Sequence, residues 1–232
     1  GNDIISDGKG YDTIDGGKGI DTFKRDYSTD YGENAFNAHI NLDLGTISSA
    51  DYPEDTPDYI QNIENVTLEG QFNYTVTGDS NDNEILTSSG EDVIISGVGK
   101  DLIGSAASND TITLTGNTAH DGKFAHNVGS TTDVATNVEL DLNGKVKLET
   151  VVDGGAGNDT VNLSSSGDAF FLHDSFSGFH SSLTLTTDTH TGGASTQRIV
   201  NIETINGLGG DDIIDLTSPD YSLAGQVITI NG

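Results

Sequence analysis

Acidic and amide side chains recur at a nine-residue spacing along much of the chain. In four successive units between residues 78 and 113, the sixth position holds Asp or Asn and the eighth holds isoleucine. These residues are Asn83, Asp92, Asp101 and Asp110 at the sixth position, and Ile85, Ile94, Ile103 and Ile112 at the eighth. Carboxylate and carbonyl oxygens are the hard ligands that Ca²⁺ takes in proteins. The spacing therefore predicts a series of oxygen-ligated cation sites.

Each unit also contains the elements that must position such ligands. A short x-U-x strand, where U is apolar, turns its central side chain inward and its neighbours outward. The six residues before it must make a tight turn, and glycine adopts the required backbone angles without a Cβ penalty. We expect the sixth-position side chain to face outward and to share a cation with turn carbonyls. The glycines of the predicted metal-binding turns are Gly17, Gly19, Gly97, Gly99, Gly155 and Gly157.

The unit follows the template G-G-x-G-x-D-x-U-x and so resembles the nonapeptide of the RTX (repeats-in-toxin) family. The resemblance implies an all-β fold, a right-handed parallel β-roll or β-solenoid, with Ca²⁺ as the bound ion. It also implies that two units make one coil, so that each ion lies between units two places apart. The implied pairs are Asp3 with Asp21, Asn83 with Asp101, and Asp92 with Asp110. The Asn83 pair has one carboxylate fewer and should bind more weakly.

A flexible linker rich in Gly, Asp and Ser is the alternative interpretation of this composition. A linker has no reason to place isoleucine at the same phase of four consecutive units, so we favour folded repeats. We interpret residues 1–232 as one continuous module with longer inserted coils and loops. Its repeat blocks are 1–24, 69–113, 150–171 and 206–214, and its inserted coils are 25–68, 114–149 and 172–205.

The outer blocks supply further sixth-position residues as predicted metal ligands. They are Asp3, Asp12, Asp21, Asp159 and Asp211. In the unit that begins at Glu69, Tyr74 replaces the acid, so no ion is expected there, while Val76 keeps the core position. The unit around Asp168 lacks most glycines, so its turn is expected to have lost metal binding.

The inserted coils carry strand patterns and a short recurring motif. Apolar and polar residues alternate at 38–44, 137–142, 146–149 and 183–186, as in half-buried strands. Asn-Ile-Glu occurs at 62–64 and again at 201–203. RTX-type chains often carry a strand, a loop and such a motif just before a repeat block resumes, and residues 25–68 resemble that arrangement.

Composition excludes several function classes. Asp and Glu number 37 against 9 Lys and Arg, a formal net charge of −28. This excess argues against nucleic acid as a partner and opposes compaction unless bound cations relieve it. The chain has no Cys, so it forms no disulfide, and no apolar run reaches the length of a membrane span. Neither H-E-x-x-H nor G-x-S-x-G is present, so we predict no zinc-protease or lipase chemistry and no enzyme in this segment.

One aromatic concentration stands apart from the repeats. It comprises Phe170, Phe171, Phe176 and Phe179, with His173 and His180 beside them. A pocket for a glycan or peptide ligand is one interpretation. A widened core with histidines at its rim is the interpretation we favour, because phenylalanine is usually buried.

Two functions are consistent with these features. The first is a non-enzymatic extracellular module of a secreted RTX-type protein on the bacterial cell surface, adhesin-like or S-layer-like, with neighbouring surface modules as partners. The resemblance implies type I secretion and folding on Ca²⁺ after export. The alternative is a calcium-binding accessory domain of a secreted enzyme. Because residue 1 lies within a repeat, we expect the chain to be a fragment of a longer protein.

Overall fold

The computed structural model describes residues 1–8, 10–27, 37–51, 55–99, 101–115, 150–165, 168–171, 199–210, 212–216, 223 and 225–232, with backbone alone at 169–171, 213 and 215. Short strands joined by tight turns make up almost all of this part of the chain. The predicted strands at 137–142, 146–149 and 183–186 lie outside the described residues, as does Asp211. So do the side chains of the aromatic concentration.

The strands have two to five residues each. They are β1 (Ile4–Ile5), β2 (Thr13–Asp15), β3 (Thr22–Asp26), β4 (Ala38–Asn41), β5 (Thr46–Ser49), β6 (Asp58–Gln61), β7 (Asn65–Glu69), β8 (Thr75–Thr77), β9 (Glu84–Leu86), β10 (Val93–Ile95), β11 (Leu102–Gly104), β12 (Thr111–Thr113), β13 (Val151–Asp153), β14 (Thr160–Asn162), β15 (Ala169–Phe171), β16 (Ile199–Val200), β17 (Thr204–Asn206), β18 (Ile213–Asp215) and β19 (Thr229–Asn231).

Consecutive repeats alternate between two sheets. One sheet has the order β1-β3-β7-β9-β11-β13-β16, and the other has the order β19-β17-β14-β12-β10-β8-β4-β5-β6-β2. β10 pairs in parallel with β8 and with β12, and Ile94 lies opposite Val76 and Ile112. The strands of one sheet are therefore two repeats apart, so two nonapeptides make one coil. This confirms the predicted parallel β-roll.

The eighth-position side chains fill the space between the two sheets. Ile85, Ile94, Ile103 and Ile112 are fully buried, and Val76, Val152, Val161 and Phe23 continue the same row. Within each of β10 and β11 the central residue is buried and the residue before it is exposed. Burial of each such side chain contributes about 1.5–3 kcal/mol. For these eight residues, the core positions predicted from the repeat phase are confirmed.

Residues 38–61 depart from the parallel pattern. β4 pairs antiparallel with β5, and β5 pairs antiparallel with β6. The outer strands of this meander continue the roll, because β4 pairs in parallel with β8 and β6 pairs in parallel with β2. The insert is thus a three-stranded meander within the sheet instead of the longer parallel coil we predict from its sequence. A glycine turn at Gly45, with φ of 65°, joins β4 to β5 and permits the reversal.

The last repeat lies one residue later than predicted. β17 ends at Asn206, so Gly207 begins the next turn, and Phe170 pairs with Ile214. The sixth position is therefore Asp212, whose Oδ1 accepts a hydrogen bond from the amide of Asp168 at 3.0 Å. The assignment of Asp211 and Ile213 to the sixth and eighth positions is wrong. Two adjacent aspartates and two adjacent isoleucines made both registers fit the template, and strand pairing decides between them.

Candidate metal sites

The glycine-rich turns stack directly on one another. Gly97 and Gly99 have φ values of 83° and 148°, which lie in the region that favours glycine. A Cβ at Gly97 or Gly99 would clash with the carbonyl of Asp79 or Asn81 in the neighbouring turn. The other predicted turn glycines are equally crowded at Gly19, Gly155 and Gly157, whereas Gly17 is open but has a φ of 86°. The backbones of adjacent turns are therefore in close contact, with carbonyls of one turn against the glycines of the next.

The same turn conformation persists where glycine is absent. Ala106 and Ser108 occupy the second and fourth positions of their repeat and have φ values of 67° and 102°. A side chain in this region of backbone space costs of the order of 1–3 kcal/mol. The strained turn stacks against the turn at Gly155. The backbone amide of Ala156 donates a hydrogen bond to the Ala106 carbonyl at 2.7 Å, and this contact holds the strained turn in place.

The sixth-position side chains form hydrogen-bonded rows from coil to coil, which together we call the amide–carboxylate ladder. Asp110 Oδ1 accepts a hydrogen bond from the amide of Asp92 at 2.8 Å, and Asp92 Oδ1 accepts one from the amide of Tyr74 at 2.7 Å. The remaining rungs join the amide of Asp3 to Asp21 at 2.6 Å, that of Asn83 to Asp101 at 3.0 Å, and that of Asp110 to Asp159 at 2.8 Å. The ladder thus joins the three predicted pairs, each through a backbone amide and a side-chain oxygen.

The predicted outward orientation of these side chains is wrong. Asp21, Asp92, Asn83, Asp101, Asp110 and Asp159 are all at most 2% exposed. Side chains alternate along an extended chain, so a residue two places before the buried eighth position points to the same side. Among the predicted sixth-position ligands within the described ranges, only Asp3 is exposed, and Asp12 is half-buried.

Four of the buried carboxylates have one oxygen without a hydrogen-bond partner. These atoms are Oδ2 of Asp21, Asp92, Asp110 and Asp159. Burial raises the pKa of Asp92 and of Asp159 to about 6 and also raises the pKa of Asp110. An unpaired, desolvated carboxylate oxygen is costly. A cation beside it, ligated also by turn carbonyls, would remove that cost, so the residues present fit a bound hard cation.

The composition of these sites distinguishes them from a side-chain metal cluster. No group of three or more His, Cys, Asp or Glu side chains suited to a metal ion occurs within the part of the chain that the structure describes. The candidate ligands at each turn are one buried carboxylate together with backbone carbonyls. Calcium accepts both kinds of oxygen.

The repeats at 1–23, 77–112 and 151–168 match the family model described as RTX calcium-binding nonapeptide repeat, in four copies. These segments are RTX repeats. RTX nonapeptide repeats are calcium-binding motifs, and the match confirms both the predicted family and Ca²⁺ as the cofactor. No curated protein matches the chain. In the described ranges, no helix has the length and apolar character needed to cross a membrane.

In the RTX turn at Asn83, the side-chain amide of Asn83 makes hydrogen bonds to neighbouring backbone and side-chain groups. Asn83 Oδ1 accepts from the amide of Asp79 at 2.9 Å, while Nδ2 donates to the carbonyl of Glu64 at 2.7 Å and to Asp79 Oδ1 at 3.1 Å. The NH₂ group of Asn83 is therefore directed at the Glu64 carbonyl and Asp79 Oδ1, where an aspartate would have a second carboxylate oxygen. The weaker calcium site expected at Asn83 and Asp101 is consistent with this geometry.

The degenerate RTX turn after Asp168 satisfies its own carboxylate. Asp168 Oδ2 accepts hydrogen bonds from the amide and the hydroxyl of Ser164, at 2.8 and 2.9 Å. The corresponding oxygens of Asp92, Asp110 and Asp159 have no such partner. Ser164 therefore donates the hydrogen bonds that the Oδ2 atoms of the other three aspartates lack.

The RTX turn that contains Asp12 is contacted by an arginine of β3 that sequence reasoning missed. Arg25 is 4% exposed, and its Nη1 lies 2.5 Å from Asp7 Oδ1 and donates to the Asp7 carbonyl. Burial raises the pKa of Asp7 to about 6, and Arg25 opposes that rise. Arg25 lies 18 residues after Asp7, the spacing of two repeats, which is the signal that could have found it. Asp12 Oδ2 accepts from the Gly8 amide at 3.2 Å.

Two glutamates were also missed as site residues. Glu64 Oε2 accepts a hydrogen bond from the amide of Asp21 at 2.7 Å, and Glu203 Oε2 accepts one from the amide of Asp159 at 2.8 Å. Both belong to the Asn-Ile-Glu motif, which sequence analysis associated only with the start of a repeat block. Each glutamate extends the amide–carboxylate ladder beyond the last aspartate of its block.

Proposed function

We propose that this chain is a calcium-binding structural module of a secreted surface protein, and that residues 1–232 form one continuous roll. The observation that carries the proposal is the set of unpaired Oδ2 atoms in fully buried aspartates. At two of these sites the carboxylate and a carbonyl of the neighbouring turn approach the same glycine: Asp21 and the Asn62 carbonyl at Gly16, and Asp159 and the Asn201 carbonyl at Gly154. The family match independently supports calcium as the ion.

The proposed ligands are the ladder aspartates and the turn carbonyls beside them. Asp21, Asp92, Asp110 and Asp159 are the main carboxylate ligands, since each has a buried oxygen free to bind a cation. Gly17, Gly19, Gly97, Gly99, Gly155 and Gly157 mark the turns whose carbonyls would complete the sites. Asp3, paired with Asp21, and Asp101, paired with Asn83, are additional carboxylate ligands. Bound Ca²⁺ supplies positive charge that neutralises these carboxylates.

Folding on export follows from the charge of the chain. A formal net charge of −28 opposes stacking of the acidic turns. Calcium that binds only the folded state stabilises it by about 3 kcal/mol per site at a hundredfold excess over Kd. The chain would stay unfolded where calcium is scarce and fold where calcium is abundant, outside the cell. The adhesin-like or S-layer-like role belongs to this proposal as the setting in which a stiff, calcium-dependent roll is useful.

Calcium titration of the whole chain tests the proposal. Decalcified protein should be only marginally stable and partly folded, with a weakened β signal by circular dichroism that returns in full on addition of CaCl₂. Isothermal titration calorimetry should then count the ions. Asp92→Asn should reduce that count. The control Glu84→Gln removes the same charge from an exposed side chain and should not reduce it. A native spectrum and no heat of binding in the wild-type chain would contradict the proposal.

A further inference from the structure

The two copies of Asn-Ile-Glu have the same backbone conformation. Asn62 and Asn201 lie in the left-handed region, with φ values of 55° and 51°. Asn62 Nδ2 donates to Asp15 Oδ1 at 2.7 Å, and Asn201 Nδ2 donates to Asp153 Oδ1 at 2.8 Å. Asparagine tolerates this conformation better than other residues with a side chain. The motif is therefore a specific turn and not merely the start of a strand.

The asparagine takes the place of the first residue of an RTX turn. A Cβ at Gly16 would clash with the carbonyl of Asn62, and a Cβ at Gly154 would clash with that of Asn201. The same relation joins Gly78 to the carbonyl of Ser96, and both of these residues begin nonapeptides. The isoleucines that follow the asparagines, Ile63 and Ile202, are buried in the core.

The glutamate takes the place of the sixth residue. It directly precedes a strand, since Thr22 pairs with Asn65 and Thr160 pairs with Thr204. Its carboxylate accepts a hydrogen bond from the backbone amide of Asp21 or Asp159. Elsewhere in the ladder, an aspartate of the next coil accepts the corresponding hydrogen bond. Asparagine and glutamate are two residues apart, at 62 and 64, whereas the first and sixth positions are five apart. The strand register nevertheless places Glu64 opposite Asp21 and Glu203 opposite Asp159.

We propose that Asn-Ile-Glu is a shortened metal-binding turn, in which Glu64 and Glu203 supply carboxylate ligands to calcium ions held with Asp21 and Asp159. The Oδ2 atoms of Asp21 and Asp159 are buried without a partner, and both residues are 0% exposed. Each glutamate is half-buried and is held beside its aspartate by the amide hydrogen bond. This inference rests on the proposed calcium binding and adds one site at the end of each of two repeat blocks.

The double variant Glu64→Gln/Glu203→Gln tests this assignment in the whole chain. Glutamine keeps an oxygen that can accept the amide hydrogen bonds of Asp21 and Asp159, so the turns retain their main contact. Isothermal titration with CaCl₂ should show the loss of two ions per chain, or at least a tenfold weakening of two sites. The matched control is Glu84→Gln/Glu91→Gln, which removes two exposed acids from the central block. That control should keep the full ion count.

A second readout separates a ligand from a merely structural residue. The difference in Tm between calcium-saturated and decalcified protein should shrink in the Gln/Gln variant and stay unchanged in the control. An unchanged ion count and affinity would overturn the assignment, as would an equal fall in Tm with and without calcium. If the variant fails to fold, the two single variants are measured in the same way. Failure of the wild-type chain to bind calcium would instead overturn the proposed function.

Discussion

The backbone amide of Asp92 donates a hydrogen bond to Oδ1 of Asp110, which lies 18 residues further along the chain and one coil away. Asp110 therefore has a structural oxygen, Oδ1, and a second oxygen, Oδ2, that is buried without a partner. One side chain thus joins two coils and offers a ligand to a cation. The two roles can be separated by experiment, because asparagine preserves the first and weakens the second.

Asp110→Asn should change stability in opposite directions with and without calcium. Without calcium the variant removes a buried negative charge near Asp92 and should raise the free energy of unfolding by about 1 kcal/mol. With saturating calcium it loses a ligand and should be less stable than the wild type by about 1–3 kcal/mol. Urea denaturation under both conditions measures the two changes. The exposed control Glu84→Gln should stay within about 0.5 kcal/mol, and a change of the same sign under both conditions would contradict the division of roles.

Stability of the calcium-free protein should fall as the pH rises through about 6. Burial raises the pKa of Asp92 and Asp159 from 3.8 to about 6, so the folded state holds their protons more tightly than the unfolded state does. Their contribution is fully present below about pH 3.8 and lost as the pH passes 6. Each unit of pKa difference corresponds to about 1.4 kcal/mol. Urea midpoints of decalcified protein between pH 4 and 7.5 measure the slope.

The pH profile has an internal control in the calcium-saturated protein. Calcium binds the ionised carboxylates, so its stabilising effect should disappear as the pH falls below about 6. The two profiles should therefore diverge above about pH 6 and converge at lower pH. Asp92→Asn should flatten the calcium-free profile. A wild-type calcium-free profile that rises with pH would show that these carboxyls are not protonated in the folded state.

Asp101→Ala and Ile103→Asp should respond differently to calcium, although they lie two residues apart. Asp101→Ala removes a ladder side chain opposite Asn83, and it should raise the calcium midpoint for folding while millimolar calcium restores the fold. Ile103 is fully buried, and an aspartate there places an unpaired charge in the core at a cost of several kcal/mol. Ile103→Asp should leave the 78–113 block unfolded at every calcium concentration. Circular dichroism during calcium titration distinguishes the two, and equal responses would be inconsistent with separate ligand and core positions.

Arg25→Gln should destabilise the protein with or without calcium. It leaves the buried Asp7 carboxylate without its ion-pair partner, and loss of one partner of a buried pair costs about 3–5 kcal/mol. The matched control is the preceding residue. Lys24→Gln breaks an exposed pair with Glu69 at 2.7 Å and should cost less than about 1 kcal/mol. Thermal unfolding in calcium and in chelator measures both, and a loss for Arg25→Gln that appears only with calcium would assign Arg25 to a calcium site.

The repeat phase in the sequence was sufficient to predict the architecture. Isoleucine at every eighth position predicts the buried row, and the resemblance implies the coil of two units that Ile94 and Ile112 form. The orientation of Asp92 was missed because the turn was treated separately from the strand, although residues two apart share a face. The meander at 38–61 was missed because alternation predicts a strand but not the direction of its partner. Arg25 and the two Asn-Ile-Glu turns depend on contacts between residues 18 or more apart, which no single-residue pattern reveals.

The coil of two repeats also determines how this protein would unfold under a pulling force. Within the 78–113 block, β10 pairs with β12 and β9 pairs with β11, each 18 residues apart, so pulling on the ends of the block would detach it one coil at a time. Each step releases 18 residues, which is about 60 Å of extended chain. A force–extension trace of this block would show evenly spaced peaks, with heights that report how firmly each coil is held to the next.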